Sequence, residues 1–210
     1  MTLQASRNAG VPHWRREEQL PGPLLAPVRD WLLDDGSLTQ HLLNTGKQFS
    51  LERWRQRWEA PSRDERKLLG MPLREQAMVR QIVMRLDGQA VVYARSVFPV
   101  STLKGPLLRL RHLHNQSLGA FLFSRPDMRR SPFQIASLAG DDGYLPPALH
   151  QDSRAWARRS CFWVARKPML VSEVFLKDFP QGQSIQALHR SRRGQVSATM
   201  RRSRPKNYSQ

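Results

Sequence analysis

Residues 77–100, which read AMVRQIVMRLDGQAVVYARSVFPV, determine the fold class of this chain. Two runs rich in β-branched and other apolar side chains flank the pair Asp87-Gly88. Both central positions of a two-residue hairpin turn need a positive φ angle, which Asp-Gly tolerates well. The sequence therefore predicts a β-hairpin with one strand over Ala77 to Leu86 and the other over Gln89 to Val100.

The chain before this hairpin is predicted to hold two short helices, a strand and a charged connection. Proline favours a first helical turn, a Ser/Gln pair three residues apart caps a helix, and glycine ends one. These signals give a helix that opens at Pro27 and ends near Gly36, a helix capped by Ser37 and Gln40 that ends at Gly46, a strand over Phe49 to Trp58, and a connection over Pro61 to Gly70.

The chain after the hairpin is predicted to alternate helices with strands. Serine before an apolar run is typical of a helix N-cap, and tight turns between β-rich runs are typical of antiparallel strands. The elements are a helix over Leu107 to Leu113, a helix capped by Ser117 that runs to Phe123, a strand over Phe133 to Leu138, a loop over Ala139 to Arg154, and strands over Trp156 to Ala165 and Met169 to Leu176. Together with the hairpin they predict an α+β fold with a single antiparallel β-sheet.

Length and charge divide the chain into three parts. Its 210 residues suit one domain, with an irregular lead-in over residues 1–23, a folded domain over 24–180, and a basic, disordered tail over 181–210. The net charge is +17, of which the tail supplies seven positive charges and no acidic residue, so the rest carries +10. The tail is interpreted as solvated, with contact to RNA or an anionic lipid surface as the alternative. The field of the rest favours encounter with anionic metabolites.

Several classes of protein and site are disfavoured. The apolar runs stop far short of the roughly 20 residues that a membrane helix needs, and no apolar stretch follows the first basic residues as a secretory signal requires. Cys161 is the only cysteine, so we expect no internal disulfide and a cytoplasmic location. His112 and His114 lack further ligands at metal-binding spacing, and no hydrolase, zinc-protease or phosphate-loop motif is present.

Two charged residues interrupt apolar strand faces. Side chains alternate between the faces of a strand, so Arg80 shares a face with Ile82, and Glu173 shares one with Val171. Removing a charge from water costs several kcal/mol unless the charge is paired. Arg80 and Glu173 are therefore candidates for a ligand site. In the alternative interpretation they form a buried ion pair with each other or reach water at a sheet edge.

The backbone of Leu118 is a further candidate for binding an anion. If Ser117 caps the helix, the amide of Leu118 lies in the first turn, where unpaired N–H groups and the helix dipole favour a carboxylate. In the alternative interpretation these amides are ordinary capped groups that bind water.

Five motifs resemble those of the bacterial chorismate pyruvate-lyase family, which catalyses the first committed step of ubiquinone synthesis. They agree with the family in order and approximate spacing over residues 27–178. The motifs are WLLDD (31–35), ARSVFPVSTLKGP (94–106), SLGAFLF (117–123), RRS (158–160) and KPMLVSEVFL (167–176). The resemblance implies an antiparallel sheet with helical flaps over an enclosed site, and a monomer that releases its product slowly.

The same resemblance implies four substrate-binding residues. Arg80 binds the ring carboxylate of chorismate beside the amide of Leu118, Glu173 matches the family's site glutamate, and Leu38 stands where the family has a methionine whose backbone lines the pocket. Arg80 and Glu173 are then the catalytic residues of an elimination that needs no cofactor or metal and yields 4-hydroxybenzoate and pyruvate. Candidates for the second carboxylate of chorismate are Arg95, Lys104, Arg158 and Arg159.

Two other functions fit parts of the sequence. Effector domains of some transcription regulators resemble this fold, so a non-catalytic sensor of small carboxylates is the alternative. Residues 1–23 are too short and proline-rich for a DNA-reading winged helix, and no DNA partner is expected. The basic charge leaves a nucleic-acid-binding protein as a second rival, which strong salt dependence of binding would favour.

Overall fold

A computed structural model describes residues 12–180, so residues 1–11 of the predicted lead-in and the predicted tail over 181–210 lie outside the described residues. Within this range, seven strands form one antiparallel sheet with the order β1-β2-β3-β7-β6-β4, and β5 also pairs with β6. The strands are β1 (Phe49–Glu59), β2 (Ala77–Leu86), β3 (Gln89–Pro99), β4 (Arg129–Arg130), β5 (Gln134–Leu138), β6 (Ala155–Val164) and β7 (Lys167–Phe175). The prediction of an α+β fold with a single antiparallel sheet is confirmed.

The predicted hairpin is confirmed almost to the residue. Asp87 has a φ of 49° and Gly88 a φ of 80°, as a two-residue turn between twisted strands requires. Ala77 pairs with Pro99 at the far end, so β3 ends one residue before the predicted Val100. Because β1 pairs with the outer edge of β2 and β7 with that of β3, this hairpin is the centre from which the sheet extends.

Four α-helices lie in the described range: α1 (Ala26–Leu32), α2 (Leu38–Leu43), α3 (Arg63–Leu69) and α4 (Leu118–Phe123). Helices α1, α2 and α4 match predictions, and Ser37 and Ser117 each accept a hydrogen bond from the backbone N–H three residues later. The prediction of a mere connection over residues 61–70 is wrong. Ser62 and Glu65 form a reciprocal capping box that opens α3, and Gly70 ends it with a φ of 62°.

Several shorter elements differ from the predicted bounds. A 3₁₀ helix over Gly105–His112 stands where a helix over residues 107–113 was expected. The loop over residues 139–154 contains a 3₁₀ turn at Pro147–Leu149. In the lead-in, Arg15 and Ile135 exchange two backbone hydrogen bonds, which attach this segment to the sheet beside β5. No helix within residues 12–180 is long and apolar enough to cross a bilayer.

Helices cover both faces of the sheet. Helix α3 packs on one face, and α1, α2 and α4 pack on the other. On this second face two hydrophobic clusters lie side by side, one containing Ile82 with α1 and α2, the other containing Met78 with α4. Arg80 lies between Met78 and Ile82 along β2, so the polar interruption predicted from the sequence falls at the boundary between the two clusters.

Candidate active site

A cavity lies where these two clusters meet, between the sheet and the helices α2 and α4. Its walls contain all four residues predicted to bind substrate, namely Arg80, Leu38, Leu118 and Glu173. Arg80 comes from β2 and Glu173 from β7, whereas Leu38 and Leu118 are the first residues of α2 and α4. The fold therefore brings these residues to one place, and their roles in binding stay predictions.

Arg80 presents a buried guanidinium to the cavity. The residue is 1% exposed, and its Nη2 donates to the backbone carbonyls of His114 at 2.9 Å and Gln116 at 2.7 Å. Its Nε and Nη1 have no hydrogen-bond partner within the described range. Burial, with a smaller effect from Arg53, lowers the pKa of Arg80 to about 10, so the group is protonated at neutral pH. A buried cation with two unused donors suits a bound anion.

Glu173 is paired with Arg158 rather than with Arg80. Arg158 Nε donates to Glu173 Oε2 at 2.6 Å, and Arg158 Nη1 donates to three backbone carbonyls in the last residues of α1 and just after it. The alternative of an ion pair between Arg80 and Glu173 is therefore wrong. The Arg158 side chain is 2% exposed and that of Glu173 is 15% exposed, so the carboxylate is held from one direction and still borders the cavity.

Two polar residues of the cavity are absent from the sequence predictions. The guanidinium of Arg130, on β4, lies 3.8 Å from the ring centroid of Phe133, and its Nη1 donates to the carbonyl of Asp35 at 3.1 Å. Its Nε and the Oγ of Ser160 are buried without a partner among residues 12–180. Burial, followed by the nearby charge of Arg158, lowers the pKa of Arg130 to about 10.

The basic residues predicted as candidates for a second carboxylate are mostly engaged elsewhere. Arg95 is bonded to two glutamates on the opposite face of the sheet, and Arg159 is bonded to an aspartate and a glutamine. Arg158 borders the cavity, but Glu173 and the end of α1 occupy its Nε and Nη1. Lys104 is exposed and does not line the cavity. Arg95 and Lys104 are therefore outside the cavity, whereas Arg158 and Arg159 line it while bonded to other residues.

The roof of the cavity is a contact between two short helices. Thr39 of α2 and Ser117 at the cap of α4 share a hydrogen bond of 2.8 Å. A methyl group at Gly119 would lie 3.4 Å from the Oγ atoms of Ser37 and Ser117, so a small residue suits this close approach. Leu38 and Leu118 are buried beneath the contact. Residues of α2 and α4 therefore cover the cavity on the side that faces away from the sheet.

The arrangement suits a small organic acid. Guanidinium groups provide paired N–H donors for carboxylates, and the apolar walls suit a flat ring. Among residues 12–180, no three His, Cys, Asp or Glu side chains are grouped as a metal site would require. Fold and cavity together define a class of protein: a single-sheet α+β domain with a cavity lined by guanidinium groups between the sheet and two short helices.

Comparison with known proteins identifies the family within that class. Residues 9–182 match the family described as chorismate lyase, and the chain belongs to this family. A protein from Alcanivorax borkumensis described as a probable chorismate pyruvate-lyase is 38% identical over 163 residues, covering 78% of this chain and 74% of that protein. One of the same description from Azoarcus sp. is 39% identical over 163 residues, covering 71% and 83%.

A solved structure shows the same fold. The effector domain of PhnF from Mycobacterium smegmatis matches with a TM-score of 0.51 at 15% identity, over 68% of this chain and 90% of that chain. At this level of identity the likeness concerns the fold alone.

Proposed function

We propose that this protein is a chorismate pyruvate-lyase, which eliminates pyruvate from chorismate and leaves 4-hydroxybenzoate. One observation carries the proposal: two donor nitrogens of the buried Arg80 guanidinium have no partner among residues 12–180, and Glu173 lines the same cavity. Membership of the chorismate lyase family and the names of the relatives support the same substrate. The product would serve ubiquinone synthesis.

Arg80 binds the ring carboxylate of chorismate through its charge and one of its unused donors, Nε or Nη1, which point to opposite edges of the guanidinium. The carbonyls of His114 and Gln116 hold the guanidinium through Nη2, so this contact fixes the position of the ligand. Leu118 offers its backbone N–H to the same carboxylate, and Leu38 lines the pocket with its main chain. The apolar side chains of Ile82 and Val171 pack against the ring from the sheet. Such orientation lowers the entropic part of the activation barrier.

Glu173 contacts the ring hydroxyl and accepts the proton of the carbon that bears it. The electron pair of that C–H bond becomes a ring double bond, and the adjacent C–O bond to the enolpyruvyl group breaks. The departing enolpyruvate takes up a proton and becomes pyruvate. Because the ring gains aromaticity, the enzyme needs to supply little beyond orientation and charge placement. In this scheme Arg158 fixes the position of Glu173, and no metal or organic cofactor takes part.

The proposal also includes the setting in which the enzyme works. We expect a cytoplasmic monomer whose slow step is release of product from beneath α2 and α4. The likeness to the PhnF effector domain extends to the fold alone and does not favour the sensor alternative.

Activity of the full chain on chorismate tests the proposal directly. We expect 4-hydroxybenzoate, followed by ultraviolet absorbance, and pyruvate, followed with a coupled dehydrogenase, to appear in equal amounts without added metal. Arg80→Ala should abolish turnover by removing the carboxylate partner. Arg85→Ala on the same strand should keep it, because Arg85 bonds to Glu52 and the carbonyl of Gly88 outside the cavity. No product from the folded wild-type chain, or full activity of Arg80→Ala, contradicts the proposal.

A further inference from the structure

The cavity holds a second guanidinium on the side away from Arg80. Arg80 lies on β2 and Arg130 on β4, and the sheet order places three strands between them. Four strand spacings correspond to about 19 Å between the two backbones. Because both residues line the same cavity, their side chains enter it from different strands.

Arg130 is surrounded in a way that leaves part of its guanidinium unused. The rings of Phe133 and Phe162 lie 3.8 Å and 5.0 Å from its central carbon, and the Asp35 carbonyl accepts from Nη1. Its Nε is buried and has no hydrogen-bond partner within residues 12–180. An unmade hydrogen bond of a buried charged group is costly, so the position is explained best by a partner that arrives with the ligand.

The charges that line the cavity also favour a negatively charged ligand. Arg158 and Glu173 neutralise each other through their ion pair. In the described part of the chain, neither Arg80 nor Arg130 forms an ion pair with an acidic residue. Among the described residues, the cavity therefore has two positive charges without acidic partners, which suits a ligand with two negative charges.

We infer that Arg130 binds the second carboxylate of the substrate, the one on the enolpyruvyl group, while Arg80 binds the carboxylate on the ring. This inference rests on the proposed function and makes Arg130 a substrate-binding residue for the group that leaves. Only one of the two products contains the carboxylate that Arg130 holds. The aromatic product keeps its contact with Arg80 and has none with Arg130.

A structural role for Arg130 makes a different prediction. Through the Asp35 carbonyl, Arg130 also holds the segment between α1 and α2, which leads into the roof. If that contact were its only role, loss of Arg130 would weaken the binding of substrate and of aromatic product alike. A comparison of the two affinities therefore separates carboxylate recognition from support of the roof.

The test compares the variants Arg130→Gln and Arg130→Lys with Arg129→Gln in the full chain. Arg129 is the exposed neighbour on the same strand and serves as the matched control. We measure kcat/KM for chorismate and the Kd of 4-hydroxybenzoate by calorimetry. Loss of one partner of a buried charge pair predicts a fall in kcat/KM of roughly 100-fold for Arg130→Gln. The Kd of 4-hydroxybenzoate should change less than about fivefold, because that contact is made by Arg80.

The lysine variant keeps the charge and loses the planar donor fork. We therefore expect its kcat/KM for chorismate to lie between those of the wild type and the glutamine variant. It also serves as the second test if Arg130→Gln does not fold, as judged by circular dichroism. The inference is overturned if kcat/KM for chorismate and the affinity for 4-hydroxybenzoate fall by the same factor in Arg130→Gln. A normal kcat/KM in this variant overturns it as well. If the wild-type chain makes no product at all, the proposed function is wrong, but the inference about Arg130 is not yet decided. The inference is then still tested by whether chorismate displaces 4-hydroxybenzoate less well from Arg130→Gln than from wild type.

Discussion

Arg80 and Arg130 are cations that line the same cavity, and burial lowers the pKa of each to about 10. A lowered pKa in the folded state means that folding makes the proton easier to remove. The protonated groups therefore reduce stability at every pH below about 10, and this cost declines as the pH rises above that value. A bound carboxylate offsets the cost, so ligand affinity depends on both groups staying protonated.

Binding of benzoate should report the pKa of Arg80. Benzoate contains the ring carboxylate but no phenol, so the ligand itself does not titrate near pH 10. We expect its Kd, measured by calorimetry, to be constant from pH 6 to 9 and to weaken by up to roughly tenfold per pH unit above about pH 10. Circular dichroism at each pH verifies that the chain is folded. A steady loss of affinity between pH 7 and 9 is inconsistent with this assignment.

The role of Glu173 can be separated from simple positioning. Glu173→Gln keeps the shape of the side chain and an oxygen for Arg158, but an amide is a much weaker base. If Glu173 accepts the proton, the rate constant of product formation in a single turnover should fall by roughly 100-fold or more, while the Kd of 4-hydroxybenzoate changes little. A single-turnover rate constant near that of the wild type indicates instead that the elimination is concerted and that Glu173 only orients the ring.

The sequence predicted the charges that interrupt long strands and missed the one on a short strand. Arg80 and Glu173 each lie in a strand of nine or more residues, where the alternation of side chains identifies their face. Arg130 belongs to a strand of two residues, which is too short to show an alternation of apolar and polar side chains. Its face depends on pairing with β6, a partner far along the chain that a local pattern cannot reveal.

Helices α2 and α4 are each six residues long, too short to be stable alone, so the roof relies on their packing and on the bond between Thr39 and Ser117.

The predictions of these two helices succeeded because serine caps and apolar runs are local signals. Helix α3 was missed because most of its residues are charged and its apolar pattern is brief. The pair Ser62 and Glu65 was nevertheless a sufficient signal, since a capping box is recognisable from sequence.

Thr39→Val should speed the release of product. Valine has the shape of threonine but cannot share the 2.8 Å bond with Ser117, and one such bond contributes about 1 kcal/mol. We expect 4-hydroxybenzoate to dissociate roughly fivefold faster in stopped-flow displacement experiments. Thr45→Val is the matched control, because its hydroxyl donates to the Leu42 carbonyl within the end of α2. Similar acceleration in both variants means that general loosening of α2, rather than the contact between helices, sets the rate.

The whole molecule divides its polar chemistry between the two faces of one sheet. Within residues 12–180, the cavity face carries two cations without an acidic partner beside the Arg158–Glu173 ion pair, whereas the opposite face carries Arg95 bonded to Glu59 and Glu65. Burial lowers the pKa of Arg95, but the hydrogen bond and charge of Glu65 outweigh it and raise this pKa. The ion network opposite the cavity is therefore satisfied by its own residues, and the two unpaired cations lie only on the cavity side of the described sheet.

Ligand binding should consequently stabilise the entire fold. At 4-hydroxybenzoate concentrations of about 100 times Kd, linkage predicts about 2.7 kcal/mol, which corresponds to a rise in Tm of roughly 5–10 °C. Differential scanning fluorimetry of the wild type should show this rise. Arg85→Ala should show it too, and Arg80→Ala should not. An equal rise for Arg80→Ala places the ligand somewhere other than the cavity.

The pairing of Ala94 on β3 with Glu173 on β7 has a consequence for synthesis of the chain. A ribosome completes the hairpin early, but the strand that covers the free edge of β3 emerges only after residue 167. Until then the nascent chain displays an open strand edge along β3. Chains that stall or terminate in this interval should be caught by chaperones or aggregate, whereas synthesis of β7 closes the edge and adds Glu173 to the sheet.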